Sequence, residues 1–207
     1  RDADLVAVLS SFQQQNFQAE LGMESVVIGY GIWRSELCPV TKKDPARLIY
    51  SSVPQRGLDT VPELFREIRE QEPEATLAVC SSNATWGVPE LDAPFTALFD
   101  ELRAMPGVEV IGALPQQALY KELARASVFF YPSTYVETYC LAMAEAMAHG
   151  CVPIVTQIGA LPERWVPSVA IVRRTVAAIR RARERPRSVT MPPDWMEIAE
   201  RWLDLLS

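Results

Sequence analysis

Residues Ser127–Pro162 read SVFFYPSTYVETYCLAMAEAMAHGCVPIVTQIGALP. An apolar strand runs into Tyr131-Pro132-Ser133, a short polar loop carries Glu137, a helix follows with Glu145 inside it, and a second apolar strand emerges at Val152. A helix that starts near Thr138 turns its free N-terminal amides into the space beyond the strand's carboxyl end. Open α/β sheets bind ligands there, and a helix dipole favours phosphate there. Glu137 and Glu145 lie eight positions apart, which in helical geometry is about 12 Å. That matches the reach from a sugar across a diphosphate to a ribose, so the spacing suggests two carboxylates holding the two ends of one long ligand.

Outward from this stretch the pattern is regular. Strand Leu48–Ser51 leads through Ser52-Val53-Pro54-Gln55-Arg56-Gly57 into a helix over Leu58–Gln71 with Val61, Leu64, Phe65 and Ile68 on one face. Strands at Ala75–Cys80, Val108–Ile111, Val128–Tyr131 and Val152–Val155 alternate with helices at Phe95–Ala104 and Gln116–Arg125, and a last short strand is expected at Val169–Val172. Strands alternating with helices through short loops predict an α/β fold, a Rossmann-like parallel sheet with helices on both faces and right-handed crossovers. Before it stand a strand at Asp4–Leu9, a helix closed by Gly22, a strand at Ser25–Ile28 and an aperiodic linker over Ile32–Ala46. After it come seven arginines within Arg173–Arg187 and an amphipathic helix from Asp194, with Trp195, Ile198, Trp202 and Leu205 or Leu206 on one stripe.

The totals exclude several classes. A net charge of −6 over 207 residues lacks the basic footprint of a nucleic-acid binder. No apolar run approaches the roughly 18 residues of a membrane span, and Arg-Asp-Ala-Asp at the start is no signal peptide. Cys38, Cys80, Cys140 and Cys151 form no CxxC pair and His149 is the sole histidine, so no metal site is expected and the thiols read as reduced and cytosolic. An opening almost directly on a strand, without a start methionine, reads as a piece cut from a longer chain.

Glu137-Thr-Tyr-Cys-Leu-Ala-Met-Ala-Glu145 followed by Ala-Met-Ala-His-Gly-Cys-Val-Pro-Ile-Val resembles the E-x7-E signature of retaining glycosyltransferases of the GT-B fold, the group 1 or family 4 type. Arg47–Gly57 (RLIYSSVPQRG) is similar to that family's first strand and phosphate loop, and Val108–Ser133 and Thr156–Glu163 resemble its later segments. The ordered likeness spans about residues 47–172. It implies the C-terminal, donor-binding domain, with residues 1–38 a remnant of the N-terminal domain and linker, 39–190 the nucleotide-sugar-binding domain and 191–207 the crossover helix. The donor implied is a UDP- or GDP-sugar, with no cofactor. The acceptor domain is expected on a missing N-terminal half or a partner chain.

The resemblance also assigns roles. Glu145 matches the glutamate on the ribose hydroxyls, and Glu137 the one beside the donor sugar, where a carboxylate steadies positive charge developing at the anomeric carbon. The amides of Thr138, Tyr139, Cys140 and Leu141 face the sugar and diphosphate. Arg56 neutralises the leaving diphosphate without a metal, and Leu114 falls where the base packs. One departure stands out: the position of a second basic residue is occupied by Ser51, followed by Ser52, whose hydroxyls can donate to phosphate at the loss of one formal charge. An alternative therefore stays open, a non-catalytic GT-B-like interaction module, with the stripe of the last helix as a homodimer or partner surface. The arginine run is a solvated face or a contact for anionic lipid headgroups, which places the chain in the cytoplasm or at the cytosolic face of a membrane. Asp2-Ala-Asp4 spells a metal-binding DxD but lies at the chain end and is discounted.

Overall fold

The computed structural model describes residues 5–40, 42–164, 170–184 and 191–207; the Asp2-Ala-Asp4 motif lies outside them. Five parallel strands form the central sheet: β3 (Asp44–Ser51), β4 (Thr76–Cys80), β5 (Val108–Val110), β6 (Ala126–Tyr131) and β7 (Val152–Val155), in the order β5-β4-β3-β6-β7. Their side chains are apolar on both faces, as a sheet covered on both sides requires: every residue of β6 and β7 is buried. Leu48, Ile49, Tyr50, Phe129 and Phe130 form the middle of the core.

The chain first steps outward, β3 to β4 to β5, through α2 (Val61–Gln71) and α3 (Thr96–Ala104). It then returns past β3 to β6 and β7 through α4 (Gln116–Arg125) and α5 (Leu141–Ala148). Right-handed crossovers place the outward and return helices on opposite faces, so the strand order reverses between β3 and β6. The crevice beyond the carboxyl ends of those two strands is where such sheets bind ligands.

Two expectations are corrected at the edges. No strand forms at the described part of Val169–Val172. Ile171 and Val172 instead open α7 (Ile171–Glu184), which buries Thr175, Val176, Ala178 and Ile179 at helical spacing against the sheet and α2. A β-branched run resembled a strand, but the 3.6-residue spacing of the apolar positions beyond it decides for helix. Of the arginines on this helix, Arg180 and Arg183 are spent on Glu72 at 2.6 Å each, which ties α7 to the end of α2; Arg185 and Arg187 lie outside the described residues. The linker is also shorter than expected, since Asp44, Pro45 and Ala46 already belong to β3.

The N-terminal piece is a small β-α-β unit. Strands β1 (Ala7–Val8) and β2 (Val26–Val27) pair in parallel around α1 (Ser11–Leu21), which is capped by Ser10 and closed by left-handed Gly22. Its ties to the rest are specific. Glu163 of α6 (Leu161–Arg164) accepts from the first amides of α1, Ser11 and Phe12, a carboxylate on a helix N-terminus. Further along, Ile32 pairs with Asp194 in an isolated parallel bridge, just before α8 (Trp195–Leu206) begins. Arg34 donates to Pro192 O through Nε and Nη2 and forms an ion pair with Glu197 at 2.7 Å. On α8 only Ile198 is fully buried; Leu203 and Leu206 remain exposed. Among the described residues no helix is long and apolar enough to cross a membrane.

Candidate functional site

The reversal point between β3 and β6 gathers the charged side chains singled out from the sequence. β6 ends at Tyr131, and the loop that follows turns Glu137 inward to 4% exposure. Its Oε1 accepts from Tyr131 Oη at 2.5 Å and from Arg56 Nη1 at 2.8 Å. Arg56 arrives from the neighbouring strand, on the turn after β3, with its guanidinium 4.4 Å from the centre of the Tyr135 ring and 5.7 Å from that of Trp86. Burial alone would lower the Arg56 guanidinium. The Glu137 carboxylate and Tyr131 more than offset it, and the net shift is upward. Burial, aided by the charges of Cys140 and Glu137, pushes the Tyr131 phenol well above its ordinary value. Ser51 closes β3 as a buried residue, and Ser52 Oγ stands 3.4 Å from Tyr131 Oη, at the margin of the same group.

Two glycines make this convergence possible. Gly57, directly after Arg56, has φ +96°, and a Cβ there would lie 2.6 Å from Pro132 O. Gly159 has φ +61°, and a Cβ there would lie 2.2 Å from Glu137 O. Both positions combine left-handed backbone with close approach of another chain segment, which only glycine meets without strain.

The helix expected near Thr138 begins at Leu141. Cys140 precedes it with φ 64°, the one non-glycine residue in left-handed backbone among the described residues. Thr138 is exposed on the loop, whereas Tyr139 and Cys140 are buried. Of the four predicted amides, only that of Leu141 belongs to the first turn of α5. Glu145 therefore sits four residues into the helix. The straight-helix distance between the two glutamates does not apply, because Glu137 lies on the loop.

Glu145 occupies a second subsite. At 8% exposure it accepts from Gln116 Nε2 at 2.7 Å and Tyr120 Oη at 3.1 Å, both from α4. Gln116 and Tyr120 are four residues apart and so share a helix face. Burial pushes the Glu145 carboxyl above its ordinary value, against the pull of these two neutral donors, and pushes the Tyr120 phenol to about 12. The carboxylate fronts a cleft of about 580 Å³. Leu114 does not line this cleft but packs, half-buried, against the main core. His149 at the end of α5 is fully buried: its Nδ1 meets Glu145 O at 2.8 Å, and its Nε2 accepts from the Cys38 amide at 3.2 Å. It joins the linker to the helix and packs its ring on that of Tyr120, 4.7 Å between centroids, behind the cleft wall. Among the described residues no group of three His, Cys, Asp or Glu side chains is placed to hold a metal ion.

Sequence reasoning missed Tyr131, Tyr135, Trp86, Gln116 and Tyr120. Gln116 and Tyr120 carried a usable signal, polar groups at i and i+4 on an otherwise amphipathic helix. Tyr135 and Trp86 reach Arg56 through irregular loops and carried none.

A family model described as "Glycosyl transferases group 1" matches residues 40–181. No curated protein matches the chain. Among solved structures, it is similar to a sucrose-phosphate synthase from Thermosynechococcus elongatus, with TM-score 0.74 and 19% identity over 99% of this chain and 58% of that one. The Anabaena protein HepE, solved with UDP-glucose, gives TM-score 0.71 and 16% identity over 100% of this chain and 64% of its own. A pneumococcal O-GlcNAc transferase, GtfA, solved with UDP and GlcNAc, gives TM-score 0.66 and 17% identity over 99% and 45%. The chain thus spans between about half and two thirds of these relatives, and at such identities the likeness is one of fold.

Proposed function

The chain belongs to the family of group 1 glycosyl transferases, and we propose that it is the donor-binding half of a retaining, metal-independent enzyme that transfers a hexose from a UDP- or GDP-sugar. The observation that carries this reading is Glu145. A carboxylate buried at the wall of a cleft, paired only with neutral donors, is costly unless a ligand supplies further donors, and the two hydroxyls of a ribose do so.

The remaining groups fall into place around it. The diphosphate bridges toward the start of α5, where the Leu141 amide faces it. Arg56 takes the charge that builds on the leaving phosphate as the bond from the anomeric carbon to oxygen breaks. Glu137, locked by Tyr131 and Arg56, orients the sugar and steadies the positive charge at that carbon. The acceptor oxygen then bonds to the face the phosphate has left, and its proton passes to the departing phosphate oxygen. The acceptor comes from a domain that the longer relatives have room for, or from a partner chain, and the work is done in the cytoplasm.

Calorimetry with UDP and GDP tests the reading. One of them binds, and Glu145→Ala weakens that binding about tenfold or more, the worth of a charged pair of hydrogen bonds. No binding of either at millimolar concentration would overturn it. Ser51, uncharged where the family resemblance leads one to expect a second basic residue, favours the alternative of an interaction module without chemistry. That alternative predicts a defined oligomer by mass measurement together with no nucleotide binding.

A further inference from the structure

Resting on the donor-binding reading, we infer that Tyr135 and Trp86 are positioning residues, an aromatic clamp that aims the Arg56 guanidinium at the diphosphate of the donor. That reading names one cation for the diphosphate, since Ser51 carries no charge, and Glu137 already accepts from its Nη1 at 2.8 Å. Seen from a distance, the ion pair is close to neutral. What Arg56 keeps for a phosphate is therefore direction: a planar fork of N–H donors, worth most when its remaining edges are held still.

The rings hold it still. Tyr135 lies against the guanidinium and Trp86 flanks it, at the 4.4 Å and 5.7 Å given above, both within cation–π reach. A face covered by Tyr135 and an edge bonded to Glu137 fix the plane of the group and its rotation within that plane. Only 25% of the Arg56 side chain meets solvent, so less water competes for the edges left over.

Neither ring serves the core. Tyr135 is 48% exposed and Trp86 57%, and neither packs into the hydrophobic clusters of the described residues. Their loops are nevertheless pinned. Trp86 ends the short helix Asn83–Trp86, whose Asn83 is fully buried. Asp92 Oδ1 accepts from the Asn83 amide and Nδ2 at 2.8 Å each, and Asp92 Oδ2 accepts from Ser82 Oγ at 2.5 Å. Gln55 Nε2 donates to Asn83 Oδ1 at 2.7 Å, which ties this loop to the residue just before Arg56. On the other side, the Tyr135 amide donates to Ser133 Oγ at 3.0 Å, and Thr156 Oγ1 donates to Ser133 O at 2.6 Å. A satisfied network around a buried asparagine that ends in an exposed ring fixes the place of that ring. Preorganisation of this kind lowers the cost of binding without adding a contact to the ligand.

The test titrates UDP, GDP and inorganic pyrophosphate by calorimetry into the chain and into its alanine and phenylalanine variants at Tyr135 and Trp86. The two alanine variants are also made in an Arg56→Ala background. Tyr135→Ala weakens pyrophosphate and the nucleoside diphosphate by the same factor, about five- to tenfold, and Trp86→Ala weakens both about two- to threefold. Tyr135→Phe and Trp86→Phe restore most of the loss. In the Arg56→Ala background neither alanine has a further effect, because the rings act only through the guanidinium. By NMR, the Arg56 Nε–H signal is protected from exchange in the parent and loses that protection in Tyr135→Ala; this readout decides where Arg56→Ala leaves no binding to compare. Unchanged affinity in Tyr135→Ala, with Glu145→Ala still impaired, overturns the clamp and leaves the donor-binding reading standing. So does an equal loss with and without Arg56, a loss confined to the nucleoside diphosphates, no restoration by phenylalanine, or an Arg56 signal that Tyr135→Ala leaves alone. Failure of the unaltered chain to bind either nucleotide overturns both.

Discussion

His149 and Glu145 are four residues apart on one helix and respond to pH in opposite directions. Burial, the larger effect, and the nearby Lys43 lower the His149 imidazole below its ordinary value, against the Glu145 carbonyl. The unfolded chain then takes the proton more readily, so stability falls as pH drops through the ordinary imidazole range near about 6.5. His149 is the only histidine, so His149→Gln should abolish most of the slope in melting temperature between about pH 7.5 and pH 5.5; an unchanged slope would show the imidazole to be better solvated than its burial implies. Glu145 has the opposite sign. Its folded-state value is raised by burial, so its ionisation costs stability, fully above that value and not at all below the ordinary carboxylate range. Glu145→Gln keeps an acceptor for Tyr120 and Gln116, so it should melt higher than the parent at pH 8 and converge with it below about pH 4. The same variant should bind UDP more weakly. A stability gain paired with lost affinity is the mark of a group kept for ligand rather than for fold.

At the scale of elements, the sheet was legible and the loops were not. The second half of β3 (Leu48–Tyr50) and most of β4, β6 and β7 are apolar runs between turn signals, and their burial matches a sheet covered on both faces. The start of α5 was misplaced by three residues because Cys140 takes a left-handed conformation. No residue type predicts that outside glycine and asparagine; tertiary packing imposes it. The same packing explains Gly159, whose neighbour Ala160 donates to Glu137 O at 2.7 Å. Gly159→Ala puts a methyl group into the Glu137 backbone. It should cost about 1–3 kcal/mol of stability and shift Glu137 relative to Tyr131 and Arg56. Glu145 is untouched, so the variant should bind UDP normally yet lose the extra affinity conferred by the sugar of a UDP-sugar. Equal losses for UDP and UDP-sugar would mean that the two glutamates are not separate subsites.

At the scale of the molecule, the contacts that join the N-terminal unit to the last helix bridge about 160 positions of sequence. Nothing in local pattern announces such a contact, because each partner alone reads as an ordinary loop residue. Arg34 is its centre: three of its side-chain bonds go to Pro192 and Glu197, and its amide donates to Asp194 Oδ2 at 3.0 Å. The ion pair itself is part-exposed on both sides and is worth little. The two bonds to the carbonyl of buried Pro192 leave an acceptor unmet when they are removed. Arg34→Ala should therefore lower the local opening free energy of α8 by about 1–2 kcal/mol while the five-stranded sheet keeps its protection. Hydrogen exchange resolves the two: faster exchange confined to residues 195–206 is expected, and uniform acceleration across β3 and β6 would show instead that α8 and the sheet unfold as one unit.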